Sequence, residues 1–425
     1  MPDMPNPPRR NDRRAIHRAR ARRHRRVAIG IAMVALIVTG VAIAYPRIGN
    51  DAAAETTLAM AATSTAKTAT ANTTAATTTD AAPATTAPAG RPSDRTRLRL
   101  VRTITGDIAP KSIASSGTGF VTAQNMMYRH SVTVYNAKSM RLVKTIPDTV
   151  RLTALGYPEF KGLVRGAPVE AAFSPDGRYE YVTNYAMYGP GFGPEGSDTC
   201  SPSSGYDRSF TYRVDTSTWK IDQAYQVGVV PKVVKATPDG RFVLISNWCS
   251  WDLSVISTAK GREVRRIPIG AYPRGIAISP AGNAAYVAVM GGSELVRVDL
   301  KTWKTSSIPI GSGPRAIEFS PNDRYIYATL NAEGRVAKLD LRTGSVVEKV
   351  TTGDAPRSLA ISHDGRALYV VNYKSGSVTK LRTRDMKVVQ AITACNQPIG
   401  IAYDTPTRRV WVACYGGAIL VFNDR

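Results

Sequence analysis

The chain has 425 residues, 43% of them hydrophobic and 21% charged, which is enough for one large domain or two ordinary ones. Its net charge is +24, and so large a basic excess favours anionic partners through long-range attraction. The N-terminus sets nucleic acid aside as that partner and points to a membrane and the cell envelope.

Residues 1 to 26 hold ten Arg and two Asp. They lead into "VAIGIAMVALIVTGVAIAY", Val27 to Tyr45, nineteen residues without a charge. At about 1.5 Å per residue such a helix nearly spans a hydrocarbon core of about 30 Å. The arginines on its N-terminal side predict a cytoplasmic tail (1–26), a transmembrane signal-anchor (27–45) and an extracytoplasmic remainder. That topology makes this a single-pass plasma-membrane protein. A cleaved signal peptide ending at Ala52 to Ala54 is the rival; its apolar region would be longer than the usual ~7–15 residues. Residues 46–95 are Ala, Thr and scattered Pro with no lasting periodicity, the composition of a disordered stalk that holds the next domain off the membrane.

From residue 96 to 425 one pattern recurs. "SPDGRYEYVTNY" starts at Ser174, "TPDGRFVLISNW" at Thr237, "SPAGNAAYVAVM" at Ser279, "SPNDRYIYATLN" at Ser320 and "SHDGRALYVVNY" at Ser362, with weaker copies at Ser115 and Asp404. A proline precedes each copy: Pro110, Pro168, Pro231, Pro273, Pro314, Pro356 and Pro398, at intervals of 58, 63, 42, 41, 42 and 42. A period near forty with about four short strands per unit predicts an all-β, seven-bladed β-propeller. Each first strand reads apolar in both parities, as if packed between neighbouring blades. The last unit stops after three strands, and "LRLVRTITG", Leu98 to Gly106, aligns with the missing fourth. Pairing the first strand with the last three closes the ring and leaves no open edge.

These repeats resemble the YVTN β-propeller family, although the literal tetrapeptide occurs once, at Tyr181 to Asn184. The resemblance implies a propeller of the kind found in extracytoplasmic surface proteins. It extends to lactonase-like propellers in fold only and carries no activity with it.

Strand alternation puts the fourth-to-first and second-to-third loops on one face, here the top, and the Ser-Pro-Asp-Gly turns on the bottom. Both long units owe their length to top insertions, Asp148 to Ala167 and Ala186 to Ser209. Loops added to one face of a repeat scaffold build binding surfaces. The second brings Tyr185, Tyr188, Phe192 and Tyr206 into or beside it. The residue after the anchor proline is basic in five units, Lys111, Lys232, Arg274, Arg315 and Arg357. Repeat symmetry sets them at one height near the channel mouth, where they either form an anion site or each reach outward to an acid or a carbonyl. Cys200, Cys249, Cys395 and Cys414 all map to the top, and Cys200–Cys249 with Cys395–Cys414 is the favoured pairing of three.

No catalytic residue, cofactor or metal site emerges. There is no C-x-x-C, no haem-attachment motif and no spaced His/Asp cluster. His363 replaces a turn proline on the bottom, and His130 reads as a lone, solvated top-loop residue. Glu170 and Glu318 fall in first strands at unequal offsets from their prolines, so no matched carboxylate pair is evident. The favoured reading is a monomeric, envelope-tethered propeller that binds an anionic ligand, partner or envelope polymer on its top face. A lactonase-like or other hydrolytic enzyme with its site at the channel mouth is one alternative. A structural surface-layer protein is the other.

Overall fold

The computed structural model describes residues 90–425. The expected basic tail, membrane span and most of the stalk lie outside the described residues; among those described, no helix is long and apolar enough to cross a membrane. Twenty-nine strands form seven antiparallel sheets. They are the blades of a seven-bladed β-propeller. Consecutive first strands neighbour one another around the ring, and blade 1 meets blade 7. The described chain is almost without helix, holding three one-turn 3-10 segments.

Each blade is built from the repeat. In blade 6 the strands are Pro356–Ile361, Ala367–Asn372, Ser377–Arg382 and Lys387–Thr393. The first-to-second turn is closed by its own side chains: the Ser362 hydroxyl donates to Asp364 at 2.6 Å, and the same carboxylate accepts the amide of Arg366. Ser174 with Asp176 and Thr237 with Asp239 repeat the device. The following glycines, Gly177, Gly240 and Gly365, all take φ near +70°, where a Cβ is strained.

The middle strands, not the inner ones, are buried on both faces. Ala284–Val289, Ala367–Asn372 and Asp252–Ser257 are buried at every position, because neighbouring blades cover both sides. First strands such as Pro356–Ile361 are only partly buried, since one face lines the central channel. Fourth strands such as Leu98–Ile104 are mostly exposed.

The ring closes as the sequence implies. Leu98–Ile104 pairs antiparallel with Ala418–Asp424, Leu98 opposite Asp424 and Ile104 opposite Ile419. A buried polar lock sits where the chain enters. Asp424 pairs with Lys380 of blade 6, and both side chains are fully buried. Asp424 also accepts from the Thr96 hydroxyl at 2.7 Å and from Tyr369, while Lys380 donates to the Thr96 carbonyl at 3.0 Å. Just upstream, Ser93–Arg95 forms a short 3-10 turn on the bottom. Ser93 donates its amide to Asp364 at 2.9 Å and its hydroxyl to Ser362 at 2.8 Å. These contacts anchor Ser93 to Thr96 to the propeller.

Both top insertions belong to blade 2, and they fold together. Thr149–Val150 adds a fifth strand, and Val164–Phe173 and Tyr179–Tyr188 run ten residues each where other blades use about six. Gly166 pairs with Met187 and Arg165 with Tyr188 above the ring. Phe160 stacks on Phe192 at 4.7 Å, both against Phe210. The expected loops are therefore a strand extension with its own small core.

Burial gives two expectations that can be measured. Asp424→Asn leaves Lys380 as a buried, uncompensated charge and should cost ~3–5 kcal/mol in a denaturant titration; a loss below about 1 kcal/mol would contradict the lock. Glu180, fully buried between blades 1 and 2, is pushed up to about 7 by desolvation, against hydrogen bonds from Thr122 and Gln124. The folded state keeps a proton that the unfolded chain releases near 4.5. Its contribution is complete below about pH 4.5 and is lost as pH rises through about 7. Glu180→Gln should flatten the fall in Tm across that window, and an unchanged slope would assign the fall to other groups.

Candidate functional site

A repeated backbone device builds the top of the channel. In blades 3 to 7 the residue before the anchor proline is left-handed: Val230 (φ 53°), Tyr272 (58°), Gly313 (63°), Ala355 (56°) and Gln397 (57°). For a residue with a Cβ this costs about 1–2 kcal/mol. Its carbonyl accepts the amide of the residue just beyond the second strand: Trp248 to Val230 at 2.9 Å, Met290 to Tyr272 at 3.1 Å, Asn331 to Gly313 at 2.9 Å, Tyr373 to Ala355 at 3.0 Å and Tyr415 to Gln397 at 3.1 Å. In blades 3 and 6 the residue so held, Trp248 or Tyr373, lies beside the residue after the proline.

In five blades that residue is a cation. Lys111, Lys232, Arg274 and Arg315 are buried, Arg357 is half-buried, and they converge rather than splaying outward. Lys232 bonds to Asp198 at 3.0 Å and lies 4.2 Å from the Tyr185 ring and 5.3 Å from that of Trp248. Arg274 meets Glu170 at 3.4 Å. Arg315 donates to the carbonyl of Arg357, whose guanidinium stacks on Tyr373 at 3.6 Å. Lys111 Nζ and Arg357 Nε are buried without a hydrogen-bond partner. The set is thus paired only in part, between the two sequence alternatives. Burial, reinforced by Arg274, pushes Lys111 well down and Lys232 down to about 7. Burial would raise Asp198, but Lys232, Arg274 and Lys111 hold it below the ordinary carboxylate range.

Below this mouth the first strands enclose a cavity of about 500 Å³, running from Arg274, Arg315 and Arg357 to Ser116, Pro175 and Tyr403 at the bottom. Both carboxylates expected in first strands line it. Glu170 is engaged by Arg274, and Glu318 by Lys235 at 3.2 Å.

The second insertion covers the blade 2–3 side of the mouth. Cys200–Cys249 and Cys395–Cys414 are disulfides, and the first pins the insertion to blade 3. Tyr185 donates its hydroxyl to Gly196 at 3.0 Å, and the Trp248 indole donates to the Asp198 carbonyl at 3.0 Å. Among the three candidate tyrosines only Tyr185 contacts a cation of the series. Tyr188 packs edge-on against His130 and beside Arg165, while Tyr206 belongs to the apolar cluster under the insertion. His130 is not the lone solvated residue expected. The blade 2 extension folds over it, and its Nδ1 lies 2.8 Å from the Gly166 carbonyl. His363 stays on the bottom, bonded to Tyr403 at 3.0 Å. Asn184 is a strut, donating to the Phe210 carbonyl at 3.2 Å.

Sequence reasoning does not find Asp198 or the rim residues Trp248, Tyr373 and Tyr415. A signal for the rim is present: the repeats end in "TNY", "SNW", "VNY" and "ACY", one aromatic at one position. Asp198 carries none, since it sits mid-insertion and reaches Lys232 only through the fold.

The family model described as Cytochrome D1 heme domain matches residues 315–415. No curated protein matches the chain. Among solved structures it is similar to Kuenenia stuttgartiensis hydrazine synthase (18% identity, 75% of this chain and 96% of that chain, TM-score 0.58). It is also similar to selenomethionine-substituted virginiamycin B lyase from Staphylococcus aureus (14% identity, 77% and 99%, TM-score 0.59). These likenesses concern the fold. Haem iron needs an axial ligand, and no histidine, cysteine or methionine lines the channel. Both described histidines are held elsewhere, by Gly166 and by Tyr403, and Tyr403 is itself engaged by His363. The lining does not fit an axially ligated haem.

The position of Lys232 predicts a lysine that titrates near neutrality. In side-chain NMR one lysine Cε resonance should shift around pH 7 and vanish in Lys232→Met. If every lysine titrates only above about pH 9, near the ordinary value, the mouth is open to water and the burial of Lys232 is refuted.

Proposed function

We propose that this chain is a membrane-tethered propeller that binds an anionic ligand or partner of the cell envelope at its top mouth. One observation carries the reading: five basic side chains face two carboxylates in a confined mouth, and Lys111 Nζ and Arg357 Nε lie buried without a hydrogen-bond partner. Buried polar groups are normally satisfied, and an unpartnered buried donor is costly. An incoming anion supplies the missing acceptors. The tether rests on the sequence: the uncharged stretch Val27 to Tyr45 follows ten arginines. The resemblance to extracytoplasmic YVTN propellers agrees with this. The enzyme alternative finds its support in Glu170 and Glu318, but each already neutralises a cation. A surface-layer role gives no reason for the unpaired cations.

The test uses the full chain in mild detergent, with inorganic phosphate and citrate as probes in titration calorimetry. Binding should weaken as salt rises, and Lys111→Gln and Arg357→Gln should each reduce affinity about tenfold. Absence of binding by both anions, or equal binding by wild type and both variants, would refute an anion site here. Arg274 is avoided as a target, because reversing it would leave Glu170 facing a like charge.

A further inference from the structure

The two sides of the mouth are built alike but filled differently, and the difference identifies a ligand class. In blade 3, Lys232 follows the anchor proline and Trp248 occupies the rim. That sector already holds an acidic residue on a peptide. The Asp198 carboxylate accepts from Lys232 at 3.0 Å, and its main-chain carbonyl accepts from the Trp248 indole at 3.0 Å. Tyr185 closes the other side of the ammonium.

Blade 6 has the same construction and no occupant. Arg357 follows its proline, Tyr373 holds the rim position against it at 3.6 Å, and Tyr415 of blade 7 stands next to Tyr373. Arg357 Nε is unpartnered here, and so is Lys111 Nζ of blade 1. Arg315 from blade 5 adds a third basic side chain with no carboxylate bonded to it, since its acceptor is the Arg357 carbonyl. The Asp198 charge is felt across the mouth by Arg315 and Arg357, yet among the basic side chains it bonds only to Lys232. The rim differs too: Tyr185 and Trp248 are buried beneath the insertion, whereas Tyr373 and Tyr415 keep partial exposure.

We propose that the sector of the mouth from blade 5 round to blade 1, with Lys111, Arg315, Arg357, Tyr373 and Tyr415, captures an acidic side chain on an extended peptide segment of a partner protein, as blade 3 captures Asp198. The guanidinium of Arg357 gives a carboxylate a planar, two-point grip. Tyr373 and Tyr415 offer hydroxyls and ring faces to the peptide main chain, the part played by Trp248 towards Asp198. The insertion is thus a built-in copy of the ligand, sealed in place by Cys200–Cys249. The Asp198 charge lowers the potential of the mouth without filling the second sector.

This inference rests on the anion-site reading, and the experiment separates the two. Full-chain protein in mild detergent is titrated by fluorescence anisotropy into a labelled Gly-Asp-Gly-Asp-Gly peptide and its Gly-Asn-Gly-Asn-Gly counterpart, with phosphate measured separately. The Asp peptide should bind at least about tenfold more tightly than the Asn peptide, and Arg357→Gln should remove most of that difference. Tyr373→Ala should weaken the peptide more than phosphate. Asp198→Asn should strengthen peptide binding, because a nearby like charge is removed. Where Arg357→Gln melts early, Arg357→Lys, which keeps the charge but loses the fork, serves in its place, with the same expected direction. Phosphate binding without preference for the Asp peptide overturns this inference and leaves the anion site standing. Failure of phosphate and peptide alike overturns both.

Discussion

Closing the ring is the constraint on which the rest depends. A blade of three strands would expose an edge, and the chain repairs this by returning Leu98–Ile104 to pair with Ala418–Asp424. Edges in an open sheet template unwanted pairing, and a closed ring has none. The seam is locked by Lys380, Asp424, Thr96 and Tyr369, a network placed where three segments distant in sequence meet. A buried ion pair is a poor source of net stability, but it penalises a misaligned seam severely, because one partner alone is a buried charge.

Closure has an electrostatic consequence. Once seven first strands stand in a circle, every residue after an anchor proline is brought to the same height. Five of these residues are cationic, so the fold forces like charges together in a poorly solvated space. Their acidities respond: burial and mutual repulsion lower Lys111, Lys232 and Arg315. Glu170 and Asp198 relieve part of the repulsion, Glu170 from a first strand and Asp198 from outside the repeat. The left-handed residues before the prolines add backbone strain at the same level. Backbone strain and unpaired basic side chains thus gather at one mouth.

Blade 2 breaks the symmetry. Its two insertions look separate in the sequence, yet they pair through Arg165, Gly166, Met187 and Tyr188 and share an aromatic core of Phe160, Phe192 and Phe210. That core carries the second insertion up over the mouth, and Cys200–Cys249 fastens its far end to blade 3. The result is a ring half covered and half open. In the covered half the Asp198 carboxylate is paired with Lys232.

The propeller is legible from residues alone: the seven prolines, the period near forty, the Ser-Pro-Asp-Gly turns and the orphan strand at Leu98 all report local or periodic constraints. So is the convergence of the basic residues at one level, because repeat symmetry maps equal sequence offsets onto equal heights. The inner strands are not, since apolar spacing does not distinguish a strand facing a channel from one between two blades. His130 looks solvated in the sequence because the segment that covers it lies 36 positions away. Asp198 cannot be read at all. An insertion obeys no repeat, and only the paired blade 2 extensions and a disulfide decide which cation its carboxylate meets. Periodic sequence determined the scaffold and the ring of charge; tertiary packing alone decided which charges were answered, because pairing depends on where an aperiodic segment comes to rest.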